Sequence, residues 1–261
     1  MSHAQPLWRR TVAEALGTGL LVTVVIGSGI AAANLSPGDT GLQLLENAFA
    51  TALGLAVLIL MFGPVSGAHF NPVVSAVDWW LGQRDRTGLT LRDLAAYVPA
   101  QIAGAVAGAV LANLMYGEAA VSWSTTHRSA GHLWIGETVA TAGLILLIFS
   151  LAWSGRAAIA PAAVGAYIGA AYWFTSSTSF ANPAVTVGRA FSDTFAGIAP
   201  ASVPGFVFFQ LFGAILGAGL VAVLYPHLGD AADEIVVPHT DTADTTEAGN
   251  TIKPTDTGVR S

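Results

Sequence analysis

Two Asn-Pro pairs are the residues whose type and spacing most directly suggest chemistry. Asn71-Pro72 and Asn182-Pro183 each follow a loop rich in Gly, Ser or Thr and open a short apolar segment. An Asn before a Pro is typical of a helix start, with the Asn side chain as the cap and the Pro at the first position. The Asn oxygen then caps the helix, and its NH2 group can donate to a passing oxygen. One pair alone would indicate a simple helix cap, whereas two at matching positions indicate a paired polar site.

The residues around these pairs are strongly apolar. Of the 261 residues, 53% are hydrophobic and 10% are charged, whereas a soluble domain has roughly 25% charged residues. A bilayer core about 30 Å thick requires about 20 mostly apolar residues per helix. Six stretches meet this requirement, at about 11–33, 44–63, 94–116, 133–153, 157–177 and 203–226. The segments at 71–82 and 182–192 are too short to cross, so we predict that they are re-entrant half-helices.

The second half of the chain repeats the first. Besides the Asn-Pro pairs, the matching features are Glu14 and Glu137, Gln101 and Gln210, and the sequences GAVAGA (104–109) and GAILGA (213–218). Each half has three spans, so the second repeat must be inserted upside down, and the two half-helices then meet. The sequence predicts an all-α membrane protein with six transmembrane helices, two half-helices, and inverted repeats at about 8–116 and 131–226.

Two loops that meet within the bilayer predict a pore, because such loops are tolerated only where protein buries them or where they line a water-filled cavity. Each half-helix N-terminus carries about half a positive charge. We therefore expect cations, including hydronium, to be repelled at the meeting point. A molecule in transit would accept hydrogen bonds from Asn71 and Asn182, which would orient it and interrupt a proton wire.

Charge is concentrated at the C-terminus. Residues 229–261 contain seven acidic residues against Lys253 and Arg260, with no apolar periodicity. We expect this acidic tail to be disordered and residues 1–228 to form a single channel domain. Since the net charge of the whole chain is −6, the channel domain is nearly neutral, which argues against a nucleic-acid partner.

The positions of the arginines predict the orientation. With both termini in the cytoplasm, short inner loops hold more Arg than outer loops, as the positive-inside rule requires. The inner residues are Arg9, Arg10, Arg84, Arg86, Arg92 and Arg156, and the outer ones are Arg128 and Arg189.

Several functions are disfavoured by missing residues. The chain has no Cys, which excludes disulfides, thiolate catalysis and zinc–thiolate sites. The spans hold no His cluster and no nucleophile–base pair, so we expect no enzyme activity, no cofactor and no metal. Inverted repeats also suit an ion-coupled transporter. Glu14, Glu137 and Asp78, which lies near the end of a half-helix, are too few acids for an ion relay.

The motifs resemble those of the aquaporin and aquaglyceroporin family. SGAHFNPVV (66–74) resembles its first signature, FANPAV (180–185) its second, and AEALGT (13–18) also matches. The resemblance covers about residues 10–226. It implies the aquaporin fold, a homotetramer in the lipid bilayer with one pore per protomer, passage of small neutral solutes, and a plasma-membrane location.

The same resemblance assigns roles to individual residues. Asn71 and Asn182 correspond to the paired pore asparagines. Glu14 and Glu137 correspond to buried glutamates that support the re-entrant loops by accepting from backbone amides. His69 lies in the first motif, where we expect it to make structural hydrogen bonds in the loop.

The outer selectivity filter departs from the family pattern, because Val185 stands where the family nearly always has Arg. Counting back from the asparagines without gaps places the other filter positions at Thr51, Ala170 and Ser179. A shift of one at Ala170 would give Gly169 or Ala171, which are equally small. The sequence therefore predicts a wide, uncharged filter.

Arg189 lies one helical turn beyond Val185 and leaves two alternatives open. It could reach back to restore the missing charge, or it could extend to the outer mouth. The stretch at 182–200 resembles family members from bacterial arsenic-detoxification systems, which also lack the filter Arg. The expected solutes are trivalent arsenic hydroxide and glycerol-like molecules. The alternatives are a glycerol or water channel without an arsenic role, and an ion-coupled secondary transporter.

Overall fold

The computed structural model describes residues 5–83 and 87–225, and within them the chain is helical. The acidic tail, Arg84 and Arg86 lie outside the described residues. The eight α-helices are α1 (Leu7–Leu35), α2 (Thr40–Ser66), α3 (Pro72–Gly82), α4 (Leu91–Met115), α5 (Gly131–Trp153), α6 (Ala160–Phe174), α7 (Pro183–Arg189) and α8 (Val203–Leu224). Short 3-10 turns, Ala157–Ile159 and Pro200–Ser202, precede α6 and α8.

Six of these helices, with α6 and α8 counted together with the 3-10 turns before them, are long and apolar enough to cross a membrane. The other two are short, which confirms the predicted fold class. The two short helices begin where the Asn-Pro pairs predict. The side chains of Asn71 and Asn182 cap α3 and α7, and a Pro opens each helix. The second half-helix is shorter than predicted, since α7 ends at Arg189.

Close packing through glycines follows the repeat. A Cβ atom on Gly104 would lie 2.1 Å from the Ala15 carbonyl oxygen, so α4 contacts the backbone of α1 directly. At the matching position, a Cβ atom on Gly213 would lie 2.5 Å from the Thr138 carbonyl oxygen, so α8 contacts α5 in the same way. Small residues allow this approach between membrane helices. In each half, the first spanning helix (α1 or α5) therefore packs against the third spanning helix (α4 or α8).

Candidate functional site

The loops that lead into α3 and α7 have the same unusual backbone. In both, the residues four, three and one positions before the Asn have positive φ, a conformation that is uncommon outside glycine. The φ values are 86° at Gly67, 50° at Ala68 and 50° at Phe70 in the first loop, and 61° at Thr178, 47° at Ser179 and 49° at Ala181 in the second. Such backbones persist when their surroundings hold them in place.

Glu14 holds the first loop. One carboxylate oxygen accepts from the Ser66 hydroxyl at 2.6 Å and from the His69 backbone N–H at 3.0 Å. The other oxygen accepts from the Phe70 N–H at 2.7 Å and from the Gln101 amide at 2.8 Å. The acid is fully buried. Four donors therefore compensate for the removal of its charge from water.

Glu137 holds the second loop in the same way. Its two oxygens accept from the Phe180 and Ala181 backbone N–H groups, both at 2.9 Å. The Gln210 amide donates to it at 2.6 Å and also to the Thr186 hydroxyl at 2.8 Å. In the first half, Gln101 donates to Ser75 in the equivalent way, at 3.0 Å.

The two asparagines join the loops. The Asn71 side-chain nitrogen donates to the Ala181 carbonyl at 2.8 Å, and the Asn182 nitrogen donates to the Phe70 carbonyl at 2.7 Å. Each side-chain oxygen accepts from the backbone N–H two residues ahead in its own helix, at 3.1 Å for Asn71 and 2.9 Å for Asn182. An amide nitrogen has two N–H groups, so one N–H on each Asn is available to a solute.

His69 lies beside this junction. Its Nδ1 atom is 3.1 Å from the Ser75 hydroxyl, and its ring makes an edge contact with Tyr97, with centroids 5.7 Å apart. The contacts tie the first loop to α3 and α4.

A cavity of about 60 Å³ runs past both asparagines, which is room for a few water molecules. The two motifs line it with matched positions: Ala68 and Ser179, His69 and Phe180, Phe70 and Ala181, Asn71 and Asn182, and Val74 and Val185. The rest of the wall is mainly aliphatic, from Leu21, Val25, Leu55, Ile59, Leu144, Ile148, Val164 and Ile168. The cavity therefore combines a few polar groups with an apolar surface.

Three of the four filter residues that sequence counting selects line this cavity: Thr51, Ser179 and Val185. The fourth, Ala170, is a correction, because it is exposed on the outside of α6. Tyr172 lines the cavity instead, and its hydroxyl is 3.2 Å from that of Thr51. Two residues along an α-helix turn the side chain by about 200°, so the counting selected the opposite face.

Arg189 also corrects the expectation of an uncharged wall. It lines the cavity and is 2% exposed, so it does not extend to solvent at the outer mouth. Its guanidinium carbon lies 3.4 Å from the centroid of the Phe180 ring, and its Nε donates to the Ala196 carbonyl. A cation over an aromatic face is stabilised by the ring quadrupole. The cavity wall therefore carries a fixed positive charge.

A second arginine lies close to the same ring. Arg128, in the segment between α4 and α5, has its guanidinium carbon 5.2 Å from the Phe180 centroid and donates to the Gly197 carbonyl at 3.0 Å. Burial lowers the pKa of the Arg128 guanidinium, because it removes water from the charged form. Arg128 is not among the residues that line the cavity.

Sequence reasoning missed Tyr172 and left Arg189 undecided. A signal for Tyr172 was its aromatic type near the end of a spanning helix. The i, i+4 spacing of Val185 and Arg189 placed the two side chains on one helix face. Within residues 5–83 and 87–225, no group of three or more His, Asp or Glu residues could hold a metal ion.

The chain is similar to known membrane proteins. The family model described as Major intrinsic protein matches residues 1–179. The aquaglyceroporin AqpS of Rhizobium meliloti (strain 1021) is 50% identical over 215 residues, which cover 82% of this chain and 89% of AqpS. The glycerol uptake facilitator protein of Pseudomonas aeruginosa is 31% identical over 276 residues, covering 89% of this chain and 95% of the facilitator.

A solved structure supports the same fold. The X-ray structure of the aquaglyceroporin from Plasmodium falciparum has a TM-score of 0.65 at 20% sequence identity, covering 85% of this chain and 99% of the other. Six spanning helices and two matched half-helices agree with that likeness. On the family model and the relatives, this chain belongs to the major intrinsic protein family of membrane channels.

Proposed function

We propose that this channel passes small neutral solutes larger than water, including glycerol-like molecules and trivalent arsenic hydroxide. The observation that carries the proposal is the junction of Asn71 and Asn182 in a cavity whose remaining wall is mainly aliphatic. The asparagines offer donors to the hydroxyl oxygens of a solute. The aliphatic side chains accommodate its carbon backbone or its less polar face. A solute that has both hydroxyl groups and a less polar face fits this wall better than water does.

Neutral solutes are favoured over ions for two reasons. The N-termini of α3 and α7 meet at the asparagines, and their partial positive charges oppose cations. No Asp or Glu occurs among the described residues that line the cavity, so the wall offers no carboxylate to replace the hydration shell of a cation. A neutral molecule loses less hydration on entry.

The arsenic part of the proposal has its own support. Val185 lines the cavity at the position where the family usually has Arg. The stretch at 182–200 also resembles family members from arsenic-detoxification systems. Trivalent arsenic hydroxide is neutral and resembles glycerol in size and hydroxyl pattern. The 50% identical relative is named an aquaglyceroporin, which agrees with a solute of this class.

The assembly and location are also proposals. An even number of spans places the two ends of the channel domain on one membrane side, and the distribution of Arg favours the cytoplasm. The outer surface exposes many large apolar side chains, among them Phe49, Leu53, Ile215 and Val223. Such a surface suits lipid and neighbouring protomers. We therefore propose a homotetramer in the plasma membrane.

The test is a comparison of solute fluxes in liposomes that contain the wild-type protein or Val185→Arg. Arsenite, glycerol and water fluxes are measured against protein-free liposomes. Arg at 185 adds donors, bulk and charge, so we expect the variant to lose arsenite and glycerol flux before water flux. A wild type that passes water and no larger solute would overturn the proposal.

A further inference from the structure

Arg189 breaks the symmetry of the cavity wall. It lies seven residues after Asn182, and the matching residue seven after Asn71 is Asp78. Arg189 lines the cavity, whereas Asp78 does not. From this difference we propose that Arg189 is the selectivity cation of this pore, supplied one helical turn further along α7 than the usual position. This inference rests on the proposed function and names a residue that sets its specificity.

Two contacts hold the Arg189 guanidinium against the wall. The Phe180 ring lies against it at 3.4 Å, and the Ala196 carbonyl accepts from Nε. Phe180 comes from the loop that leads into α7, and Ala196 from the segment that follows it. Because partners from the segments before and after α7 both contact the side chain, its position is set by the fold rather than by a flexible rotamer.

The rest of the guanidinium is available to a solute. Across residues 5–83 and 87–225, the terminal nitrogens of Arg189 make no hydrogen bond within the protein, although the guanidinium fork carries several donors. The ion pair found in the same residues joins Arg10 to Asp93, so no carboxylate forms an ion pair with Arg189 there, and Glu137 acts on its charge only at longer range. A buried cation with no ion-pair partner and with free donors beside a lumen can both bind solute oxygens and repel cations.

The outer segments keep the Ala196 carbonyl in place. Residues 122–126 pair with residues 190–199 through three backbone hydrogen bonds of 2.8 to 3.1 Å. Between them the fit is close, since a Cβ atom on Gly197 would lie 2.3 Å from the Ser124 hydroxyl oxygen. The outer segments thus form a rigid support for the acceptor of Arg189.

The position of Arg189 predicts how this pore differs from one with Arg at 185. Four residues along a helix are about 6 Å, so the backbone that carries this Arg lies about 6 Å further along α7 than position 185. Val185 then leaves room next to the asparagines, while Arg189 still lines the same cavity. Room for a larger neutral solute and exclusion of cations can therefore coexist.

Arg128 provides a matched control for Arg189. Both are arginines near the Phe180 ring, and both donate from Nε to neighbouring carbonyls, of Gly197 and Ala196 respectively. They differ in that Arg189 lines the cavity and Arg128 does not. An effect of lost packing should appear in both variants, whereas an effect of lost lumen charge should appear in Arg189 alone.

The experiment uses liposomes that contain the full chain as wild type, Arg189→Leu, Arg189→Lys or Arg128→Leu. Glycerol flux and the leak of protons and K⁺ are measured in each. We expect Arg189→Leu to raise the ratio of cation leak to glycerol flux by about tenfold or more, because a unit charge within about 5 Å at a dielectric constant of about 20 has at least that effect. Arg189→Lys should retain exclusion, and Arg128→Leu should keep the wild-type ratio.

Two results would overturn the inference. One is an Arg189→Leu ratio equal to that of the wild type, and the other is an equal rise in Arg128→Leu. If Arg189→Leu does not fold, Arg189→Gln removes the charge while keeping a polar side chain, and the same ratios decide. A wild type that passes no neutral solute would overturn the proposed function itself, and this inference with it.

Discussion

The centre of the two half-helices is matched position for position, whereas their far ends carry opposite charges. Asn71 and Asn182 donate to each other's loops at 2.8 and 2.7 Å. Seven residues further on, α3 carries Asp78 and α7 carries Arg189, and both are 2% exposed. The repeat thus fixes the contacts between the two loops, while the side chains at the far ends follow their own neighbours.

Those neighbours explain the difference in role. Asp78 accepts from the Leu89 backbone N–H at 2.8 Å, in the segment that leads into α4. Arg189 instead lies against Phe180 and beside the lumen. A charge that holds a connecting segment is structural, whereas a charge beside the lumen can act on solutes. Equivalent backbone positions therefore do not imply equivalent function.

The largest expected effect comes from breaking the matched loop supports. In Glu14→Gln and Glu137→Gln, one carboxylate oxygen becomes an NH2 group, and the donors that it served lose their acceptor. A buried donor without an acceptor costs about 1–3 kcal/mol, so we expect the free energy of unfolding to fall by about 3 kcal/mol in each variant. Thermal unfolding in detergent measures the change.

The control for this pair is Glu46→Gln on α2. Glu46 accepts from the Ser36 hydroxyl at 2.7 Å and supports neither loop. It should lose less stability than either loop variant. A large loss in Glu14→Gln with none in Glu137→Gln would show that the two halves are not held alike.

The next effect concerns the asparagines. In Asn71→Asp or Asn182→Asp, a carboxylate oxygen replaces the donor and faces a carbonyl oxygen of the opposite loop. Losing the bond and adding this repulsion costs about 2 kcal/mol or more. We expect glycerol flux to fall about tenfold in both variants, with cations admitted as the local positive potential is cancelled. If glycerol flux and proton leak stay at wild-type values in both variants, the two asparagines do not act on the permeating solute.

A moderate change of selectivity is expected at Tyr172. Tyr172→Ala removes a ring from the cavity wall and the hydroxyl partner of Thr51, so polyols larger than glycerol should pass several-fold faster relative to water. The matched control is Ala170→Val, two residues away on the outside of α6, which should leave selectivity unchanged. Equal changes of selectivity in both variants would indicate that position 170, which sequence counting selected, also acts on solutes.

The smallest effect is expected at Asp78. Asp78→Asn weakens the bond to the Leu89 N–H, because a neutral acceptor is weaker than a charged one, so stability should fall by about 1 kcal/mol. The ratio of cation leak to glycerol flux should not change. A change as large as that in Arg189→Leu would mean that both far ends act on solutes.

Much of the fold could be predicted because its signals are local. The length of apolar stretches gives the six spans, and the Asn-Pro pairs give the starts of α3 and α7. The twofold occurrence of these pairs also predicts that the asparagines share a site. The positive φ angles of the two loops were harder to predict from the sequence, since Gly67 is a glycine but Thr178 at the matching position is not.

The residues of the outer constriction could not be predicted in the same way, because their positions depend on where α6 ends and on the length of the loop that follows it. Counting from Asn182 to Ala170 crosses the loop after α6, and a small shift there turns the helix face by about 200°. The burial of Arg189 depends on Ala196 and Phe180, which contact it only in the folded chain. Spacing along one helix does not contain that information.

The most direct test of the proposed channel asks whether glycerol passes Asn71 and Asn182 without ions. Liposomes that contain the wild type, Asn71→Asp or Asn182→Asp are placed in a glycerol gradient, with and without imposed Na⁺ and proton gradients, while volume recovery and membrane potential are recorded. We predict rapid glycerol flux in the wild type that is independent of the ion gradients and electrically silent, and a large loss of flux in both variants. Glycerol flux driven by an ion gradient, or full flux in both variants, would contradict a passive channel that passes between Asn71 and Asn182.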